Sequence, residues 1–155
     1  MTADETSGWI EGKIHHFPLR IYYQDTDVSG IVYHAQYLHF FERARTEFLR
    51  VLGISQKTLD RDKPETYAAF AVRDLSMDFR RPAQLDDRLI IKTTLRQLKG
   101  VSCTLEQQVW REYTLLVRAQ IRLVFLSVDL RPRRVPEHMH RLFQAILVDD
   151  HSTAE

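Results

Sequence analysis

Between Tyr22 and His34 the chain gathers two carboxylates, Asp25 and Asp27, three tyrosines, an imidazole and the small residues Thr26, Ser29 and Gly30. A carboxylate can attack an acyl carbonyl or take a proton from water, and an imidazole can orient that water or protonate a leaving group. Just downstream, apolar residues recur at helical spacing, so the segment leads into a helix N-terminus. The unpaired amides of such an end carry partial positive charge equivalent to about half an elementary charge and hold developing anions. The tetrahedral intermediate of acyl transfer is one such anion. Acid, imidazole and helix start together are suited to acyl-group chemistry, but Asp, Thr, Ser and Gly between a strand and a helix more often serve turns and caps, and the residues alone do not decide between the two.

The elements that must position this segment follow from periodicity. Phe17, Leu19, Ile21 and Tyr23 alternate with polar residues as a half-buried strand does. From Ala35, Leu38, Phe41, Ala44, Phe48, Leu49 and Leu52 fall on one helical stripe, and Gly53 supplies a C-terminal stop. Glu42, Arg43, Arg45, Glu47 and Arg50 are assigned to the other, solvated or subunit-facing surfaces of that helix. A minor helix is expected over Gln56 to Asp62. Phe70 and Val72 set one alternation and Leu75, Met77 and Phe79 another, offset by one residue, which predicts a bulge near Arg73 and Asp74. Further strands are expected from Leu89, from Val101 after the Lys99-Gly100 turn, and from Leu115 to Val128, with a short helix opened by Pro136. One long helix against a five-stranded, mainly antiparallel sheet is an α+β arrangement. The folded unit is expected from about Phe17 to about Leu147 as a single domain, with Met1 to Lys13 and Asp149 to Glu155 as polar frayed ends.

Composition narrows the partners. A net charge of +1 gives no field that would draw the chain to nucleic acid. No apolar run approaches the roughly 20 residues of a membrane span, and the N-terminus has no signal-peptide pattern. The single cysteine, Cys103, cannot form an intrachain disulfide and fits a reducing, cytoplasmic location. No Gly-x-Ser-x-Gly elbow for a serine nucleophile is present, and Cys103 is a poor nucleophile candidate. His34 and His39, or His138 and His140, do not have the spacing of a helical zinc pair, so no metal and no cofactor is expected.

The run Tyr22-Tyr23-Gln24-Asp25-Thr26-Asp27-Val28-Ser29-Gly30-Ile31-Val32-Tyr33-His34-Ala35-Gln36-Tyr37, followed by Phe41-Glu42-Arg43-Ala44-Arg45-Thr46-Glu47, resembles the Tol-Pal-associated acyl-CoA thioesterases of the 4-hydroxybenzoyl-CoA thioesterase superfamily. The likeness extends from about Phe17 to about Phe143 and takes in Arg81-Pro82-Ala83 with Asp86 and Asp87, and the Lys99-Gly100-Val101-Ser102 turn. Gln36 departs from the smaller polar residue common among relatives, and a long side chain caps a helix poorly. The N-terminal residues also exceed what relatives usually carry.

The resemblance implies a hotdog fold, a sheet wrapped round one central helix, and hydrolysis of acyl-CoA. It assigns the catalytic carboxylate to Asp27, leaving Asp25 structural, with His34 and Tyr23 as further catalytic residues and the helix start as oxyanion site. Asp27 acts as nucleophile or as general base. Coenzyme A phosphates imply cations at the mouth of the site, for which Arg80, Arg81, Lys99, Arg131, Arg133 and Arg134 are candidates; Lys99, Ser102 and Arg81 are assigned to substrate binding. The acyl channel of hotdog enzymes lies between subunits, which implies a homodimer or tetramer, and acyl carrier protein is a further expected partner. The competing expectations are a non-catalytic scaffold binding acyl-CoA or acyl carrier protein, and a hotdog hydratase or dehydratase; the motif favours the hydrolase over both.

Overall fold

Tyr37, Phe40, Phe41, Ala44, Phe48 and Leu49 recur at three- and four-residue steps and are all buried, which is what makes Gln36–Val51 a helix with one inward face. The computed structural model, which describes residues 5–56 and 59–148, sets this helix, α1, against a sheet. The strands are β1 (Trp9–Glu11), β2 (Ile14–Arg20), β3 (Ala69–Phe79), β4 (Arg88–Lys99), β5 (Ser102–Arg111) and β6 (Thr114–Leu126), and a second helix, α2 (Glu137–Ile146), follows. The sheet order is β1-β2-β4-β5-β6-β3, with every neighbouring pair antiparallel.

Alternation gives the sheet one apolar face. Leu89, Ile91 and Leu95 of β4, Cys103, Leu105 and Val109 of β5, and Val117, Ala119, Ile121, Leu123 and Phe125 of β6 are buried in the same core as α1. The β3–β6 register slips between Val72 and Asp74, the bulge expected there, and this brings the two offset alternations of β3 into one strand. Phe143 of α2 stacks on Phe125 at 6.2 Å and closes one end of the core. Among the described residues no helix is long and apolar enough to cross a membrane.

Several expectations are corrected. The sheet has six strands rather than five, because Trp9–Glu11 pairs with β2. Regular structure therefore starts well before Phe17, and only residues 1–4 and 149–155 of the expected frayed ends lie outside the described residues. The first long strand spans Ile14–Arg20, so Tyr23 is not part of it. Leu38 is 43% exposed, the buried stripe running instead through Tyr37 and Phe40. Arg45 does not stay on the solvated face: its Nη1 donates to the Gln107 side-chain oxygen at 3.1 Å, and the Gln107 amide donates in turn to Thr93 Oγ1 and the Phe41 carbonyl at 3.0 and 3.1 Å. Gln107 is fully buried, so these bonds are what make its amide tolerable in the core. Of the minor helix expected over Gln56 to Asp62, residues 57 and 58 lie outside the described residues, 59 and 60 have no regular structure, and 61 and 62 form a turn.

A polar composition concealed β1, and a buried histidine explains it. His15 is fully buried on the core side of β2, where its Nε2 donates to the Ser7 carbonyl at 2.7 Å; burial holds its imidazole below the ordinary pKa, so it stays neutral. Gly8 has φ +74°, and a Cβ there would lie 2.1 Å from the His16 carbonyl oxygen. Only glycine lets the strap lie this close to β2. Gly8→Ala is expected to destabilise the protein by about 1–3 kcal/mol and to raise exchange at the Trp9 amide, which pairs with His16; an unchanged melting curve and exchange rate would contradict this role.

Candidate active site

β2 delivers the chain to Ile21, which is fully buried and exchanges two backbone bonds with the far loop: its N–H donates to the Asp87 carbonyl at 2.9 Å and its carbonyl accepts from the Asp86 N–H at 3.0 Å. One 3-10 turn, Tyr23–Asp25, then reverses the chain. Asp25 is buried, and its carboxylate accepts from the Tyr22 amide at 2.8 Å and from Gln36 Nε2 at 2.9 Å, while its carbonyl accepts from the Tyr33 amide at 3.0 Å. Asp25 thus ties both ends of the loop to the first residue of α1, the structural role expected of it. The departure at Gln36 has the same explanation, since only a long side chain reaches back to that carboxylate.

Asp27 lies on the exposed turn that follows. Its N–H donates to the Ile31 carbonyl at 2.9 Å, and its carbonyl accepts from the Gly30 N–H at 3.0 Å, with Gly30 at φ +81°. The carboxylate accepts from the Ser29 hydroxyl and, at 2.8 Å, from the Ser29 amide. The hydroxyl first and the amide second stabilise the charged form and hold this carboxyl below the usual range. Asp27 is ionised at neutral pH.

No side chain caps α1 at Ala35. The N–H groups of Gln36, Tyr37 and Leu38 turn back onto the Tyr33, His34 and Ala35 carbonyls at 2.8, 3.4 and 3.1 Å, which leaves the His34 and Ala35 amides without an acceptor among the described residues. Beside them a groove of about 320 Å³ is lined by Ile31, Val32, His34, Tyr37, Phe79, Arg80, Arg81 and Pro82. Its rings pack together: His34 meets Phe79 edge-on at 6.5 Å and 89°, and Tyr37 lies 5.7 Å from Phe79. Arg80 is held by Asp78 at 2.9 Å, whereas Arg81 forms no ion pair among the described residues. An apolar slot with free amides and one free guanidinium at its rim can seat an acyl group and an oxyanion.

The six assigned residues separate. His34 and Arg81 line the groove. Asp27 borders it through its bond to Ile31, but its carboxylate engages Ser29 rather than the slot. Tyr23 is 82% exposed and is absent from the groove wall, so the expectation of an aromatic on an alternating strand does not hold. Lys99 and Ser102 sit at the β4–β5 turn, where Ser102 Oγ donates to the Lys99 carbonyl at 3.2 Å. At about 3.3 Å per residue, the length of β4 puts them roughly 35 Å from Arg88 and away from this chain's groove. Arg133 is not free for phosphate: its Nη1 donates to the Pro64 and Tyr67 carbonyls at 2.6 and 2.8 Å. Tyr37 and Phe79 were missed as wall residues; both adjoin motif residues in sequence, yet as aromatics on apolar faces they read as core. Cys103 is buried and its thiol is pushed up to about 12, which removes it as a nucleophile.

The chain matches the family model described as the thioesterase superfamily over residues 29–117. It is similar to the acyl-CoA thioesterase YbgC of Haemophilus influenzae, with 41% identity over 128 residues, 82% of this chain and 92% of that one. It is also similar to the acyl-CoA thioester hydrolase YbgC of Escherichia coli O6:H1, with 39% identity over 126 residues, covering 80% and 91% of the two chains. Among solved structures, a probable thioesterase from Bartonella henselae superposes with a TM-score of 0.75 at 41% identity, covering 79% of this chain and 99% of that one.

Removing the Ser29 hydroxyl withdraws the larger of the two bonds that stabilise the Asp27 carboxylate. Ser29→Ala is therefore expected to move the Asp27 titration upward toward the ordinary aspartate value, followed by the NMR shift of its carboxyl carbon. A titration that stays in place or moves down would show that Ser29 does not set this charge.

Proposed function

Because this chain belongs to the thioesterase superfamily, a thioester hydrolase with the hotdog fold, we propose that it cleaves acyl-CoA to free acid and coenzyme A at the start of α1. The observation that carries the reading is the pair of unfilled amides, His34 and Ala35, beside an apolar groove and the Asp27 loop. The thioester carbonyl oxygen takes those amides as donors. As the carbonyl carbon becomes tetrahedral, the charge that grows on its oxygen meets donors and a helix end already aimed at it. One well-aimed donor of this kind contributes about 2.7–4 kcal/mol to lowering the barrier.

Asp27 enters as an ionised carboxylate. It either adds to the carbonyl carbon, expelling the thiolate and leaving an acyl anhydride that water then opens, or takes a proton from a water that adds in its place. In both courses water supplies the oxygen of the free acid and the thiolate leaves on coenzyme A. His34, with its ring on the groove wall, is positioned to orient water or protonate the leaving sulfur. Arg81 is the cation within reach for the carrier's phosphates.

Two observations support a homo-oligomer. β3 is an edge strand of eleven residues, and Val72, Leu75 and Phe79 along it are 45%, 41% and 50% exposed. An edge of this length and character pairs readily with another strand. The separation of Lys99 and Ser102 from the groove points the same way: a copy paired antiparallel along β3 continues the sheet and lets these residues serve a neighbouring site. The lone thiol of Cys103 fits the cytoplasm, and acyl carrier protein is the alternative acyl donor.

The orientation of the Asp27 carboxylate toward Ser29 favours one second reading, a scaffold that binds acyl-CoA without cleaving it. Thiol release from short, long and aromatic acyl-CoAs separates the two. The wild type is expected to cleave at least one class, and Asp27→Asn to lose about 10²–10⁴-fold in kcat while still binding. Binding without cleavage by the wild type, or full activity in Asp27→Asn, would overturn the assignment.

A further inference from the structure

Beyond Arg81, the segment Arg81-Pro82-Ala83-Gln84-Leu85-Asp86-Asp87 has no chemical part in the reaction proposed above, yet it bonds to the elements that build the groove. The Val32 N–H donates to the Ala83 carbonyl at 2.9 Å, Ile31 and Gln84 form a β-bridge, and Ile21 exchanges bonds with Asp86 and Asp87. Tyr37 lines the groove together with Arg81 and Pro82, and Ala83, the next residue, has no exposed surface. Asp86 adopts φ +70°, a left-handed conformation that few side chains other than glycine, Asn and Asp enter. Something must hold the loop in this shape.

Two side chains do so. One Asp87 carboxylate oxygen, Oδ2, accepts from the Gln84 N–H at 2.8 Å and from Arg111 Nη1 at 2.7 Å, and the same Nη1 donates to the Pro82 carbonyl at 3.3 Å. Arg111 is the last residue of β5 and so is fixed to the sheet. A guanidinium anchored on the sheet therefore grips both ends of the loop. Through Ala83 the same loop carries Val32 and the first turn of α1, where the free amides are.

We propose that Asp87 and Arg111 are positioning residues of the thioester site, acting as a latch that sets the Arg81–Ala83 wall against the start of α1. The inference rests on the reading of the site given above. The side chains of Arg111 and Asp87 are 35% and 21% exposed, and a pair this open to water adds little to stability. Its removal is expected to show in site geometry more than in melting. Displacing a positioned group by about 1 Å costs on the order of 10²-fold in rate.

The test compares Asp87→Asn, Arg111→Met, Arg111→Lys and the double variant Asp87→Asn/Arg111→Met with the wild type by melting, by hydrogen exchange at the Val32 amide, and by kcat and KM on acyl-CoA. Each neutralising variant is expected to lower Val32 protection about tenfold or more and kcat about 10- to 100-fold, with KM changed less than about threefold. The double variant should be no worse than the worse single one, because the two side chains act as one unit. Arg111→Lys, which keeps the charge, should recover part of the rate. Should Arg111→Met not fold, the near-isosteric Asp87→Asn decides alone. Unchanged Val32 protection, unchanged kcat in folded variants, or fully additive losses would overturn the latch. If the wild type cleaves no acyl-CoA, the reading of the function has failed, and Val32 protection still decides whether the latch exists.

Discussion

Two backbone amides, those of His34 and Ala35, find no acceptor in the described chain. A helix start left bare in this way is comfortable only where water or a ligand supplies the acceptor. A glutamate or glutamine at position 38 would reach back to the Ala35 N–H as the second half of a capping box. Leu38 has no acceptor to offer, and the Ala35 amide stays open. The rest of the structure is arranged around keeping this end both accessible and fixed. α1 is anchored by the aromatic and aliphatic face that runs from Tyr37 to Leu49, so its first turn does not depend on a cap for its stability.

Asp25 and Asp27 show how two like residues, two positions apart, take opposite roles. Asp25 is buried and spends its carboxylate on Tyr22 and Gln36, closing the loop onto the helix. Asp27 is exposed, and among the described residues its carboxylate accepts only from Ser29, which keeps it charged without burying it. A charge that is already solvated and bonded is stable at rest, and it can be redirected when an acyl group enters the groove. The polar network behind α1, from Arg45 through Gln107 to Thr93, fixes the helix against the sheet by hydrogen bonds that apolar packing alone would not specify.

Much of this was readable in the amino-acid order, for identifiable reasons. The bulge at Val72–Asp74 was visible because β3 has enough apolar residues to show a phase jump, and β4 to β6 were visible because each buries one face. The phase of α1 was misread because Phe40 and Phe41, and Phe48 and Leu49, allow more than one stripe, and only packing selects Tyr37 over Leu38. β1 was missed because three residues with one partner strand show no period; its stability comes from Gly8 and the buried His15, which local pattern does not reveal. The site separated along the same line. Motif residues close in sequence, Asp27, Gly30 and His34, stood together on one loop, whereas the wall residues Phe79 and Arg81 and the Arg111–Asp87 pair come from β3, the β3–β4 loop and β5, which only the register of the sheet brings together.

If the free amides that open α1 bind an acyl carbonyl, a crystal structure of Asp27→Asn with an uncleaved acyl-CoA shows it most directly. The thioester oxygen is expected within about 2.7–3.1 Å of the His34 or Ala35 nitrogen, with the acyl group against Phe79 and Tyr37. A thioester seated away from α1, with both amides still bonded to water, would contradict it.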